Sequence, residues 1–135
     1  MGGNLENIFV SDEFFTLDKQ GVLDMEELMR ISAATIVFLD PIVAYLGQKM
    51  DMYRANEVRE VMAGLSHIAK TTGSAIVAVR HLRKAQGGKA IYSGMGSIDF
   101  TAAARSVIQV DETKSGTRYL YHAKHNLTPK GDNLA

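Results

Sequence analysis

Two polar residues that follow apolar runs in this sequence are of types that can do chemistry. Asp40 directly follows the run 35–39, and His81 follows the run 75–79 after one arginine. If both runs are parallel strands, these side chains lie at the carboxyl ends, where ligands collect in open α/β sheets. A carboxylate there can bind a water molecule of a Mg²⁺ ion that bridges nucleotide phosphates. The alternatives are an Asx turn begun at Asp40 before Pro41, and a hydrogen-bonded strand-end histidine at His81.

Hydrophobic periodicity predicts the elements that would position Asp40 and His81. Both apolar runs contain β-branched residues, which favours strands buried on both faces of a parallel sheet. Between them, an apolar stripe at helical spacing predicts a helix that ends before Gly73, a residue suited to the left-handed position after a helix. The stripe consists of Val58, Val61, Met62, Leu65, Ile68 and Ala69. Strand, helix and strand with short joints form a βαβ unit.

Weaker patterns predict the remaining elements. Asp18 is a candidate N-cap for a helix whose apolar residues include Val22, Met25 and Met29. The other predicted elements are a short strand at 7–10, a mobile loop at 83–96, a short helix at 97–105, a strand at 107–110, a hairpin connection at 111–117 and a strand at 118–125. The sequence therefore predicts an α/β fold with a C-terminal antiparallel hairpin.

Composition narrows the function classes. With 135 residues, 46% of them hydrophobic, the chain is predicted to form a single domain, 1–135, with a real core. Fifteen basic and fifteen acidic residues cancel, so no global basic field attracts nucleic acid. The absence of cysteine excludes disulfides and thiolate catalysis, and the four histidines lack a metal-ligand spacing. Without a signal peptide or a bilayer-spanning apolar stretch, we expect a soluble cytoplasmic protein with no membrane partner.

From Glu6 onward, the order of several segments resembles RecA-like P-loop ATPases, specifically the RepA-like hexameric replicative helicase branch of AAA-type ATPases. The segments that carry this resemblance are "TIVFLDPIVAYLG", "VREVMAGLSHIAKTTGSAIVAVRHLRKA", "SGMGSIDFTAAARSVIQV" and "AKHNLTPKGDNLA". The resemblance implies a partial RecA-like three-layer sandwich with a mostly parallel sheet. It also implies ATP and Mg²⁺ as cofactors, single-stranded DNA as a partner and a hexameric ring.

The resemblance also implies roles for individual residues. Asp40 matches the Walker B aspartate, which binds Mg²⁺ through water, and His81 matches a strand-end histidine that senses the γ-phosphate. Arg105 matches an arginine presented to the neighbouring subunit's nucleotide, a role that suits a planar guanidinium. The alternative for Arg105 is a helix-end arginine that interacts with the helix dipole. Lys124 matches the lysine of a Lys-x-Arg pair that reaches across the interface, but Asn126 stands where the arginine of that pair would be.

Three residues are candidate contacts to nucleic acid. In the family the segment around them lies near the central channel, where Lys84 and Lys89 would contribute charge and Tyr92 would stack on a base. A flexible basic loop is the alternative interpretation of this segment.

The phosphate-binding motif Gly-x-x-x-x-Gly-Lys-Ser/Thr does not occur in the sequence; the single Gly-Lys, at Gly88 and Lys89, precedes Ala90. In the family this loop lies upstream of the first segment present here. We therefore expect the chain to be the C-terminal part of a RecA-like core, inactive alone and active in its parent protein. A non-catalytic module for oligomerisation or DNA docking is the alternative. We also expect the exposed sheet edges to favour dimerisation of the isolated chain.

Overall fold

A computed structural model describes residues 4–11, 15–48, 50–81 and 95–126 of the chain. Its helices and strands are α1 (Lys19–Ile31), β1 (Ile36–Leu39), α2 (Ala55–Thr72), β2 (Ala75–Ala78), α3 (Asp99–Ala103), β3 (Ser106–Glu112) and β4 (Arg118–His125), with short 3-10 turns at Leu5–Asn7 and Ile42–Tyr45. The chain divides into two compact units, Met1–Met50 with Gly64–Val79, and Asp51–Ala63 with Arg80–Ala135. We call them the first and the second unit.

In the first unit, α1 begins where the sequence predicts. Asp18 has an extended backbone, and its Oδ1 accepts hydrogen bonds of 3.0 Å from the amides of Gln20 and Gly21. These amides are in the first turn, where no intrahelical acceptor exists. The amide of Gly21, followed by the hydroxyl of Thr16, lowers the pKa of the Asp18 carboxyl below its ordinary value. The predicted N-cap is therefore confirmed.

The βαβ unit is also confirmed. Strands β1 and β2 pair in parallel, with Ile36 opposite Ala75 and Leu39 opposite Ala78. The pairing continues past both strands, since the Val79 amide donates to the Leu39 carbonyl at 2.9 Å. Helix α2 connects the two strands along the chain and ends before Gly73, whose φ of 70° is the left-handed conformation expected there.

The prediction that β1 and β2 are buried on both faces is wrong. Side chains two residues apart on a strand share a face, and one face of this sheet is open: Ile36 is 55% and Phe38 66% exposed, and Val77 on the same face is 40% exposed. Leu39, on the other face of β1, is 2% exposed. A continuous apolar run reports that a strand has few polar side chains, but it does not report how many packing layers cover the strand.

In the second unit, β3 and β4 form the predicted antiparallel hairpin, with Val110 opposite Leu120 and a register irregularity at Val107 and Ile108. The turn between them uses Gly116 at φ 84°, a conformation that a glycine adopts without steric cost. The parallel pair and the hairpin together confirm the α/β fold class.

Three element predictions need correction. Residues 7–10 are not a strand, because Asn4 caps a 3-10 turn and the Ile8 amide donates to the Leu5 carbonyl instead of to a neighbouring strand. The helix predicted at 97–105 spans only Asp99–Ala103, since Ala104 is already extended. The strand predicted at 107–110 is longer, at Ser106–Glu112. Of the loop predicted at 83–96, residues 83–94 lie outside the described residues.

Within the described part of the chain, no helix has the length and apolar character needed to cross a bilayer.

Gly21 provides a test of the packing of α1. A Cβ added at Gly21 would lie 1.7 Å from the Thr16 carbonyl oxygen, so the backbone has to move. We expect Gly21→Ala to lower the free energy of unfolding by about 1–3 kcal/mol or more, measured by chemical denaturation.

Gly47→Ala is the matched control, because a Cβ at Gly47 would meet the Thr16 side chain at an ordinary 3.8 Å. This variant is expected to be neutral or slightly stabilising. Equal free energies of unfolding for the two variants would contradict the close approach of Thr16 to α1.

Candidate functional site

Asp40 is located at the carboxyl end of β1, directly after the buried Leu39. It is exposed, and the Asp40–Pro41 peptide bond is cis. The amide of Ile42, which an Asx turn at Asp40 would require as its donor, donates instead to the Val79 carbonyl at 2.9 Å. The Asx turn that the sequence left open as an alternative is thus not formed.

The Asp40 carboxylate has no hydrogen-bond or ion-pair partner among the residues that the structure describes. It remains exposed at the edge of the sheet where the carboxyl ends of β1 and β2 meet. Mg²⁺ keeps most of its waters in phosphate sites and is bound by one or two carboxylates, so a single exposed carboxylate fits a contact to Mg²⁺ through water. In the described ranges, no three His, Asp or Glu side chains cluster to form a complete metal site.

His81 follows the last residue of β2 by three positions and belongs to the second unit, whereas Asp40 belongs to the first. It is exposed, and its carbonyl accepts a 3.0 Å hydrogen bond from the Met95 amide. The parallel register places Leu39 and Ala78 side by side, so the chain leaves both strands at the same edge of the sheet. That His81 acts together with Asp40 stays a prediction.

Arg105 lies between α3 and β3 and is exposed. Both carbonyls adjacent to its Cα accept hydrogen bonds: that of Ala104 from the Lys124 ammonium at 2.7 Å, and that of Arg105 itself from the Asn126 amide at 3.1 Å. The carbonyls at the end of α3 are thus engaged by Lys124, which the sequence analysis assigned to a neighbouring subunit's nucleotide. Sequence patterns gave no signal for this contact.

A second interaction that the sequence did not predict fixes the turn before α3. Asp99 is 8% exposed, and its carboxylate accepts from the Arg59 Nε at 2.5 Å and from the Ser97 hydroxyl at 2.7 Å. The Ser97 amide in turn donates to the Met52 carbonyl at 2.8 Å. These bonds join α3 to the first turns of α2, since Arg59 lies on α2.

Close packing supports the same turn. Gly96 has a φ of 86°, and a Cβ at this position would lie 3.0 Å from the Met52 carbonyl oxygen and 3.1 Å from the Phe100 ring. The Arg80 guanidinium lies 5.3 Å from the centre of that ring, a cation–π contact. The segment that leads into α3 and Arg105 is therefore tightly constrained.

The candidate DNA contacts Lys84, Lys89 and Tyr92 lie outside the described residues.

Comparison with protein families identifies the class of the chain. The family described as the AAA domain matches residues 5–87, more than half of the sequence. The chain therefore belongs to the AAA domain family, the AAA-type ATPases of the P-loop superfamily. The match includes Asp40 and His81 and ends before Arg105 and Lys124. Among curated proteins, no significant match was found.

The pH dependence of stability provides a test of the Asp99 interactions. The Ser97 hydroxyl, followed by Arg59, lowers the pKa of the Asp99 carboxyl below its ordinary value. A lowered folded-state pKa means that the unfolded chain binds the proton more readily. The stabilisation by Asp99 is therefore complete above the ordinary value of about 3.9 and is lost as the pH falls through the folded-state pKa.

We expect Asp99→Asn to lower the free energy of unfolding near neutral pH, and the difference from the wild type to shrink progressively below about pH 4. Chemical denaturation between about pH 3 and 7 measures this difference. Asp111→Asn, at an exposed position on β3, is the control and should show little difference at any pH. A difference for Asp99→Asn that does not change with pH would rule out a lowered pKa.

Proposed function

We propose that the chain is the C-terminal part of a RepA-like replicative helicase ATPase, which couples hydrolysis of Mg-ATP in a hexameric ring to single-stranded DNA binding or translocation. The observation that carries the proposal is the parallel pair of β1 and β2, which presents Asp40 at its carboxyl edge. This pair lies within the segment matched by the AAA domain. ATP and Mg²⁺ are the cofactors that this family membership favours.

In this proposal Asp40 acts on the metal side of the nucleotide. Its carboxylate accepts a hydrogen bond from a water of the Mg²⁺ ion, which fixes the ion beside the phosphates. Three features support this role: the exposure of Asp40, the buried Leu39 that anchors the end of β1, and the Ile42 amide, which bonds to the backbone and leaves the carboxylate available.

His81 is proposed as the residue that responds to the γ-phosphate. An imidazole can donate to a phosphate oxygen, and the chain runs directly from His81 into the segment that contains Lys84, Lys89 and Tyr92. A change in the hydrogen bonding of His81 can thereby alter the position of this segment. The two lysines would then contact the phosphates of single-stranded DNA, and Tyr92 would stack on a base.

Arg105 is proposed to act on the nucleotide of the neighbouring subunit in the ring. A guanidinium can donate two parallel hydrogen bonds to a phosphate and stabilise the charge that develops in the transition state. Its exposure is compatible with an intermolecular role. The two peptide groups beside it are held in place, so the side chain is projected from a fixed backbone.

The phosphate-binding loop has to come from residues that precede this chain in the complete protein. No glycine-rich phosphate motif occurs in the sequence, so the residues present here supply the metal-side carboxylate but no cradle for the phosphates. We therefore propose that the chain alone does not hydrolyse ATP.

A second candidate function is a non-catalytic AAA-type module for oligomerisation or DNA docking. The missing phosphate motif favours it, and so does the apolar surface of the hairpin, where Ile108 is 60%, Val110 57% and Leu120 40% exposed. Exposed apolar surface of this kind is typical of an association site. Binding of DNA or of another chain without any dependence on nucleotide would support this alternative.

The decisive experiment uses the complete protein, including the segment that precedes Met1. We expect Mg²⁺-dependent ATPase activity, and we expect Asp40→Asn to lower kcat roughly 10²-fold or more because the metal-side carboxylate is lost. Asp24→Asn, an exposed residue on α1, is the matched control and should keep wild-type turnover.

Absence of a glycine-rich phosphate loop upstream, together with absence of ATP turnover, would overturn the proposal. An Asp40→Asn variant with wild-type kcat would instead leave the protein as an ATPase but remove Asp40 from the site.

The isolated chain is expected to dimerise through sheet edges. In the described part of the chain each sheet has two strands, so every strand has one edge without a partner strand from that part. Light scattering at increasing concentration should approach twice the mass of one chain, 14.8 kDa.

Val77→Lys places a charge on β2 and should favour the monomer, whereas Leu23→Lys, at an exposed position on α1, should not. A mass that stays at 14.8 kDa at high concentration would contradict pairing through sheet edges.

A further inference from the structure

The ammonium of Lys124 lies against the C-terminal end of α3. It donates to three backbone carbonyls: that of Thr101 at 3.0 Å, that of Ala102 at 2.6 Å and that of Ala104 at 2.7 Å. A lysine ammonium has three donors and no acceptor, so these bonds use its full donor capacity.

The end of α3 provides the physical reason for this contact. The last carbonyls of a helix have no intrahelical donor, and the helix dipole favours a positive charge beside them. Helix α3 is only five residues long, and Ala104 is already extended with a ψ of 140°. A helix of one turn has little stability of its own, and the bonds from Lys124 compensate for the missing donors.

The hairpin register brings Lys124 to this position. Strands β3 and β4 pair with Val107 opposite Lys124 and Ser106 opposite His125, so the end of β4 lies beside the start of β3. The next residue, Asn126, donates its amide to the Arg105 carbonyl at 3.1 Å. Lys124 and Asn126 thereby hold the two planar peptide groups on either side of the Arg105 Cα.

Because peptide groups are planar, holding both of them fixes the φ and ψ angles of Arg105. The direction of its Cα–Cβ bond is then fixed as well. We infer that Lys124 is a positioning residue for Arg105, so that its ammonium orients the arginine's backbone instead of contacting a nucleotide. This inference rests on the proposed function only in giving Arg105 a role at the neighbouring subunit's phosphates.

The inference also accounts for the departure from the Lys-x-Arg pattern. Asn126 occupies the position of the arginine, and its contribution here is a main-chain amide that bonds to Arg105. A lysine that reached a neighbouring phosphate would have to give up all three carbonyls at the end of α3. One cation from each strand end therefore has a separate task, orientation for Lys124 and phosphate contact for Arg105.

The first test uses this chain and does not depend on ATPase activity. Lys124→Met removes the three donors, and Lys114→Met is the matched control, an exposed lysine in the turn of the same hairpin. We expect the NMR order parameters of the Arg105 and Ser106 amides to fall from about 0.85 to below about 0.6 in Lys124→Met only. Order parameters unchanged from the wild type would overturn the inference.

Lys124→Arg keeps a positive charge at the helix end and serves if Lys124→Met does not fold. Its planar fork cannot converge on three carbonyls as an ammonium does. We expect this variant to fold and still to increase the motion of the Arg105 amide relative to Lys114→Met, and rigidity equal to that of the wild type would contradict the inference.

The second test is a double-mutant cycle in the complete protein. We expect Lys124→Met to lower kcat roughly tenfold with little change in KM, and Arg105→Ala to lower kcat by roughly 10³-fold. If Lys124 acts only through Arg105, the double variant should match Arg105→Ala within about twofold. A further decrease in the double variant, or a raised KM in Lys124→Met, would mean that Lys124 contacts the nucleotide directly.

The two proposals fail in different ways. A complete protein without ATP turnover contradicts the proposed function, while the amide measurements still decide whether Lys124 fixes the Arg105 backbone. Conversely, an active ATPase with additive effects of Lys124→Met and Arg105→Ala contradicts the positioning role alone.

Discussion

The parallel pairing of β1 with β2 is the constraint on which the functional account depends. The Val79 amide bonds to the Leu39 carbonyl, and the Ile42 amide bonds to the Val79 carbonyl, so the ladder extends past both strands. These bonds determine where the chain leaves the sheet. They also engage the amide that would otherwise bind the Asp40 side chain, and the carboxylate is left exposed at the carboxyl edge. Backbone hydrogen bonding thus prepares a position for chemistry without any contact from the reactive group itself.

The second unit applies the same strategy to Arg105. The arginine side chain is exposed, and it is the surrounding backbone that is held, by Lys124 on one side and by Asn126 on the other. The buried Asp99, bonded to Arg59, secures the start of α3 in the same way that Lys124 secures its end. A five-residue helix is stabilised at both ends by residues distant in sequence. The rigidity needed to present an arginine to another subunit is therefore built from long-range polar contacts.

Local patterns explain what the sequence could predict. Helix α2 has a long apolar stripe, and the N-cap at Asp18 involves residues within one turn, so both were predicted correctly. The apolar run of β1 identified a strand but gave no information on the layers that cover it, because burial depends on neighbouring elements. The contact of Lys124 with α3 and that of Arg59 with Asp99 join residues 20 or more positions apart. Such contacts have no short-range spacing, so only the folded chain reveals them.

The most direct test asks whether the carboxyl edge of this sheet faces the metal of a bound nucleotide. In the complete protein with ATP, paramagnetic Mn²⁺ can replace Mg²⁺ and broaden the NMR signals of nearby amides. Successive residues of a strand are about 3.3 Å apart, so the two ends of β2 differ clearly in distance from an ion at one edge. The account predicts strong broadening at Asp40 and His81 and little at Gly73, at the opposite end of β2. Broadening at Gly73 with unaffected signals at Asp40 and His81 would contradict it.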